Sequence, residues 1–193
     1  MSLRMIGPAK GDHGEVTQTT SDITSWETYF APEDDIHAVI AAELTQAAAK
    51  NAECHSSQYG FTDQDIADLF VQLAANGKSR FLFDKTQEAG HKERPIVQAM
   101  LMKIGAAQWA IGTSPKAHRI LHTKAIALLY PDGTGWTVTG SFNLSATAQE
   151  QFNIVDVVGS RSRSELFASR IDAMFNWVKT NQPQNQPFKS TNQ

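Results

Sequence analysis

Between residues 24 and 178 the spacing of apolar residues switches repeatedly, from every second position to every third or fourth and back. That alternation constrains the fold more than any other feature, because period two marks strands and period 3.6 marks helices. Residues 24–30 (TSWETYF) read as a strand, and Pro32 opens a helix with Ile36, Val39, Ile40 and Leu44 on one face. Residues 52–60 read as a weak strand ending at Gly60. Thr62, with Asp65 three positions on, has the form of a capping box. Ile66, Leu69, Phe70 and Leu73 then form a helical stripe that Asn76-Gly77 stops. Residues 80–84 (RFLFD) read as a short buried strand, 92–104 as a helix and 106–112 as a strand. Residues 118–130 (HRILHTKAIALLY) read as one long strand, turned at Pro131-Asp132-Gly133 into a returning strand over 135–140. A short helix near Leu144, a strand from Ile154 to Val158 and a long amphipathic helix carrying Leu166, Phe167, Ile171, Met174, Phe175 and Val178 complete the pattern. Repeated βα units predict an α/β fold: a mixed, mainly β-sheet core flanked by helices on both faces, antiparallel around Pro131.

The 193 residues suffice for one domain with a real core. Its expected extent is 23–180, between a flexible polar segment (1–22) and a disordered, proline-containing tail (181–193). The formal net charge of −3 argues against tight non-specific coating of DNA, which needs many Lys and Arg against phosphates, but leaves room for a local basic groove. The single cysteine, Cys54, excludes an intrachain disulfide. No run is long and apolar enough to span a membrane, and the first residues lack the apolar core of a secretory signal. A cytoplasmic protein with no membrane association is expected.

The chemistry is concentrated in 118–158. His122 and Lys124, two apart in a predicted strand, face the same way, together with His118 and Ile120. An imidazole beside an ammonium group suits an anionic substrate: the lysine holds a phosphate oxygen and helps keep the imidazole neutral, as a nucleophile must be. The hairpin returns the chain to Gly140-Ser141-Phe142-Asn143. There a glycine permits close approach of a ligand to backbone, Ser141 and Asn143 offer donors to non-bridging oxygens, and a following helix N-terminus would add amides. Alone, a His-x-Lys pair in a strand usually carries no function, and GSFN is an ordinary turn. In this order, joined by a hairpin, they are specific.

The segment resembles the phospholipase D superfamily motif, in which HxK is followed by GSxN. His122, Lys124, Gly140, Ser141 and Asn143 match it position by position, and GSFNLS is especially like the small bacterial nucleases of that superfamily. Upstream, an amphipathic helix, Tyr59-Gly60-Phe61-Thr62, a second helix and a strand ending in Asp84 are similar to the usual lead-in, so that roughly residues 24–180 fit a phospholipase D-like α/β sandwich. Two positions depart from the family pattern. Leu129 stands where an Asp usually follows the lysine by five, and Phe152 stands where many small members have a Glu that orients the histidine, leaving Glu150 as the nearest carboxylate.

The resemblance implies two copies of the motif at one site, and this chain has one, so it implies a homodimer meeting at a two-fold axis. It further implies a metal-independent, cofactor-free nuclease acting on DNA or RNA. His122 is then the nucleophile, His122 of the partner subunit the general acid, and Lys124 and Asn143 the holders of the phosphoryl oxygens. A phospholipase or other phosphodiesterase is a second reading, and a non-catalytic nucleic-acid-binding module a third. No histidine, cysteine or carboxylate cluster has zinc spacing. His13, His37, His55 and His91 read as surface or structural, and His118 as a possible pocket residue. Arg80, Lys85, His91, Lys92, Arg94, Lys116 and Arg119 are candidates for a basic rim, while Trp109 and Trp136 read as packing.

Overall fold

The computed structural model describes residues 22–88, 93–115 and 119–183. Seven strands form one mixed sheet: β1 (Ser25–Ala31), β2 (Glu53–Gln58), β3 (Arg80–Asp84), β4 (Trp109–Gly112), β5 (Lys124–Leu129), β6 (Gly135–Gly140) and β7 (Asn153–Gly159). They lie in the order β1-β7-β6-β5-β2-β3-β4. The pairs β2–β3 and β3–β4 are parallel and all others antiparallel. Helices α1 (Ile36–Ala49), α2 (Gln64–Ala74) and α3 (Glu93–Leu101) share one face, and α4 (Arg161–Asn181) packs on β2 to β6 on the other. The expected α/β sandwich is therefore the observed one. Among the described residues no helix is long and apolar enough to cross a membrane.

Alternation in the strands divides the core in two. Phe81 and Phe83 of β3 point with Ile126, Leu128, Val138 and Val157 toward Ile40, Leu44, Ile66 and Phe70 of α1 and α2. Leu82, between them, points the other way and packs with Ala110, Leu121, Phe175 and Val178 under α4. On the first face Phe61, Phe70, Phe81 and Phe83 form a chain of ring contacts with centroids 4.8–5.6 Å apart. Full burial of each such side chain contributes roughly 1.5–3 kcal/mol.

Several element boundaries differ from the sequence reading: α3 ends at Leu101 and β4 begins only at Trp109, and three others have a clear local cause. Pro32 does not open α1. It sits in the turn after β1, and Asp35 caps the helix by accepting from the Ala38 amide at 2.9 Å. Asp63, not Thr62, caps α2, accepting from the Ile66 amide at 3.0 Å, because the Thr62 amide donates instead to Leu144 O at 2.7 Å. The strand predicted over 118–130 begins only at Lys124. Its partner β2 ends at Gln58, which lies opposite Lys124, so residues upstream have no strand to pair with. At the edges of the domain, Asp22 accepts from the Ser160 and Ser162 hydroxyls at 2.8 Å, and α4 continues to Asn181. Residues 1–21 and 184–193, which hold most of the expected flexible segments, lie outside the described residues.

Candidate active site

Antiparallel pairing brings the end of β2, the start of β5, the end of β6 and the start of β7 to one rim of the sheet, and parallel pairing adds the end of β3. The motif residues gather there. His122 is exposed, in the loop just before β5, and Lys124 is the first residue of that strand. Their side chains meet: the Lys124 ammonium donates to His122 Nε2 at 3.1 Å. An ammonium can only donate, so Nε2 is the acceptor in this contact. Burial disfavours the charged lysine and lowers its pKa below the ordinary 10.5.

Tyr59, just after β2, supports the pair. Its ring stands edge-on to the imidazole, centroids 4.6 Å apart at 72°, and the Lys124 ammonium lies 5.2 Å from the ring centroid. Tyr59 is in turn held by the buried Gln87, which donates from Nε2 to Tyr59 O at 2.5 Å and accepts from the Phe61 amide at 3.0 Å. The backbone on both sides of His122 is tied as well. The Leu121 amide donates to Asp84 Oδ2 at 2.5 Å, and the Thr123 and Ser57 hydroxyls are hydrogen-bonded.

The GSFN segment reaches the same rim by pairing with the loop after β2. Leu144 N donates to Gly60 O at 3.1 Å, and Thr62 N to Leu144 O at 2.7 Å, so Phe61 and Leu144 form a parallel bridge. This lays Asn143 against Gly60, where a Cβ would come within 3.0 Å of Asn143 Cγ. Asn143 Oδ1 is buried without a hydrogen-bond partner, and its amide makes no bond to any described side chain or backbone group. Gln58 Oε1, at the end of β2, is likewise buried without a partner.

The other motif residues are engaged within the fold. A Cβ on Gly140 would lie 2.0 Å from Ile154 O, so this glycine permits close approach of β7 rather than of a ligand. Ser141 Oγ donates to Asn153 Oδ1 and accepts from the Ile154 amide, both at 3.0 Å, so its proton is not directed at a phosphate oxygen. No α-helix begins directly after Asn143. A five-residue 3-10 helix (Ala146–Glu150) follows, too short to supply an aligned dipole. Glu150 ends that helix exposed, and among the described residues no carboxylate hydrogen-bonds His122. Phe152, in the position of the expected glutamate, is 91% exposed.

His118, His91, Lys92 and Lys116 lie outside the described residues, as does His13. Arg80 does not belong to a basic rim: its guanidinium donates to the carbonyls of Lys78 and Ser79 and stacks on Phe175. Lys85, Arg94 and Arg119 are exposed, and Trp109 is buried. His55 is buried against Asp172 of α4 at 2.8 Å. The sequence spacing hid one cluster: His37, Asp63 and Asp65 bring ligand atoms within 4.8 Å of one another. Its geometry is that of a capped helix start. His37 Nε2 lies 2.8 Å from Asp63 Oδ2, and Asp63 Oδ1 is the cap of α2. Sequence reasoning also left Tyr59, Gln87 and Asp84 without roles. Only the Tyr-Gly-Phe-Thr run and the strand-ending Asp pointed toward them.

A seven-stranded mixed sheet between helix layers thus carries His-x-Lys and Gly-Ser-x-Asn on one rim. No protein-family model and no curated protein matches the sequence. Among solved structures the chain is similar to Nuc of Salmonella typhimurium, a phospholipase D family member, at 20% identity and TM-score 0.57, over 77% of this chain and 92% of that one. It is similar to NucT of Helicobacter pylori at 18% identity and TM-score 0.59, over 78% and 94%. Polyphosphate kinase of Porphyromonas gingivalis aligns at 15% identity and TM-score 0.58, over 81% of this chain and 26% of that much longer one. At these identities the likeness is one of fold.

Proposed function

We propose that the protein is a phosphodiester hydrolase of the phospholipase D type, a nuclease acting on DNA or RNA at a site shared by two copies of the chain. The observation that carries this reading is His122 Nε2 held 3.1 Å from the Lys124 ammonium, on the same rim as Asn143, whose side-chain oxygen has no hydrogen-bond partner. A nucleophile, a cation and a neutral donor are what phosphoryl transfer asks of a protein. In the first step His122 Nε2 bonds to phosphorus and the P–O bond to the leaving group breaks. The departing oxygen takes a proton from His122 of the partner subunit. That histidine, now neutral, removes a proton from water, whose oxygen attacks phosphorus and releases His122. Lys124 and Asn143 hold the equatorial oxygens, where charge is greatest. No step calls for a metal.

A second copy is supported by two features. The rim offers one nucleophile and, among the described residues, no carboxylate or second imidazole bonded to it. Beside it, the α4-side surface of β1 and β7 carries an apolar strip. Phe30 and Ile154, opposite each other in register, are 49% and 48% exposed, and Trp26 is 58% exposed. The phosphodiesterase reading is tested by incubating plasmid, single-stranded DNA, RNA and a chromogenic phosphodiester with the protein in excess EDTA. Cleavage is expected to persist, and His122→Ala is expected to lower it by at least ~1000-fold with an unchanged circular dichroism spectrum. Cleavage abolished by EDTA, or retained in His122→Ala, contradicts the reading.

A further inference from the structure

His122 carries the chemistry proposed above, yet it lies outside any strand and its exposed ring touches only Tyr59 and Lys124 among the contacts described. Its position therefore depends on the backbone that bears it. That backbone is gripped from β3. Asp84 ends the strand with its side chain fully buried, and its two oxygens have separate tasks. Oδ1 stays local, accepting from the Thr86 amide at 2.9 Å and the Thr86 hydroxyl at 2.8 Å, which closes the turn into the 3-10 helix Lys85–Glu88. Oδ2 reaches 37 residues along the sequence to accept from the amide of Leu121, the residue before His122, at 2.5 Å. The Leu121 side chain is anchored on the same side, with Leu82, Phe175 and Val178.

A turn-closing residue needs one oxygen, and asparagine would supply it. The second oxygen has a different partner, and that partner leads directly to the nucleophile. We propose, on the reading that His122 is the nucleophile, that Asp84 is its positioning residue: through the Leu121 amide it fixes where the imidazole stands relative to Lys124 and Tyr59. In Asp84→Asn one oxygen can still close the Thr86 turn, which leaves an NH2 group facing the Leu121 N–H. Two donors then oppose each other and the segment must shift. Thr86→Ala removes the hydroxyl bond to Oδ1 and a long 3.4 Å bond from Gln87 Nε2, keeps the shorter Gln87–Tyr59 bond and the Oδ2–Leu121 bond, and is the matched control for a purely structural role.

Three measurements test this. With a chromogenic phosphodiester, Asp84→Asn is expected to lower kcat by about 100-fold with KM within about threefold, the signature of a misplaced reacting group, whereas Thr86→Ala keeps kcat within about threefold. Equal losses in the two variants, or a loss confined to KM, overturn the proposal. The second readout needs no activity: nuclear Overhauser contacts between the His122 and Tyr59 rings should vanish in Asp84→Asn and persist in Thr86→Ala. If they persist in both, Asp84 does not position the ring. If they behave as expected while the wild-type protein cleaves no phosphodiester, the functional reading fails and the positioning stands. The third uses wild-type protein alone and covers the case of an unfolded variant. The Leu121 amide, although flanked by the exposed Ile120 and His122, should exchange with solvent at least ~100-fold more slowly than the Ile120 amide, and fast exchange overturns the proposal.

Discussion

In the proposed chemistry Lys124 has to be charged to hold a phosphoryl oxygen, yet its partial burial works against that charge. The consequence for pH has a definite sign. Lys124 loses its proton at a lower pH than a solvent-exposed lysine, so activity should fall on the alkaline side before the ordinary lysine value of 10.5 is reached. Lys124→Arg, which stays charged, should move that limb upward even if its peak rate is lower, and a pH–rate profile of the two proteins checks this. Stability runs the other way. Between the folded and unfolded pKa values the unfolded chain binds more protons, so unfolding free energy rises with pH across that window. Lys124→Met should therefore lose roughly 100–1000-fold in kcat while its thermal midpoint at neutral pH is no lower than that of wild type. The pair His122–Lys124 was legible in the sequence because both members, and their spacing, lie in one short segment. Tyr59 and Asp84 were not legible as site residues. Each acts through a contact made by pairing between distant strands, and neither residue type signals it.

At the level of elements, the rim depends on how closely β6 and β7 approach. Gly140 lies so near the Ile154 carbonyl that even a methyl group forces the strands apart. Gly140→Ala should cost about 1–3 kcal/mol in urea unfolding. It should also lower kcat more than Gly133→Ala does, because the displaced strand end carries Ser141, and through it the start of β7 at Asn153. The order and types of the elements were readable from apolar periodicity, which depends only on local sequence. Their boundaries were less so. The start of β5 was set by where β2 runs out, at Gln58, and the start of α2 by the diversion of the Thr62 amide to Leu144. Both are tertiary facts, and both bear on the site: they leave His122 in a tethered loop and lay Asn143 against Gly60.

For the whole molecule the shared-site reading makes activity a property of two chains. Phe30→Asp combined with Ile154→Asp places two charges on the exposed strip without touching His122, Lys124 or Asn143. The doubly substituted protein is expected to sediment as a monomer and to lose at least ~100-fold in turnover, with its far-ultraviolet spectrum intact. A dimer that survives the charges shows that another surface joins the copies. A wild-type monomer with full activity shows that one chain suffices. The strip was not foreseen from the sequence, where Trp26, Phe30 and Ile154 look like ordinary strand residues. Their exposure follows from where α4 is laid down.

The β5–β6 turn, formed by residues 131–134, ends the sheet at the opposite rim, exposed and closed on itself by the Tyr130 N–Thr134 O bond at 3.1 Å. Every group assigned to the chemistry sits a full strand length away. The molecule therefore has a back that can be handled. A peptide tag or a fluorophore grafted into that turn should leave turnover within about twofold of wild type, so the protein can be fixed to a bead or a sensor surface with the proposed working rim facing the solution.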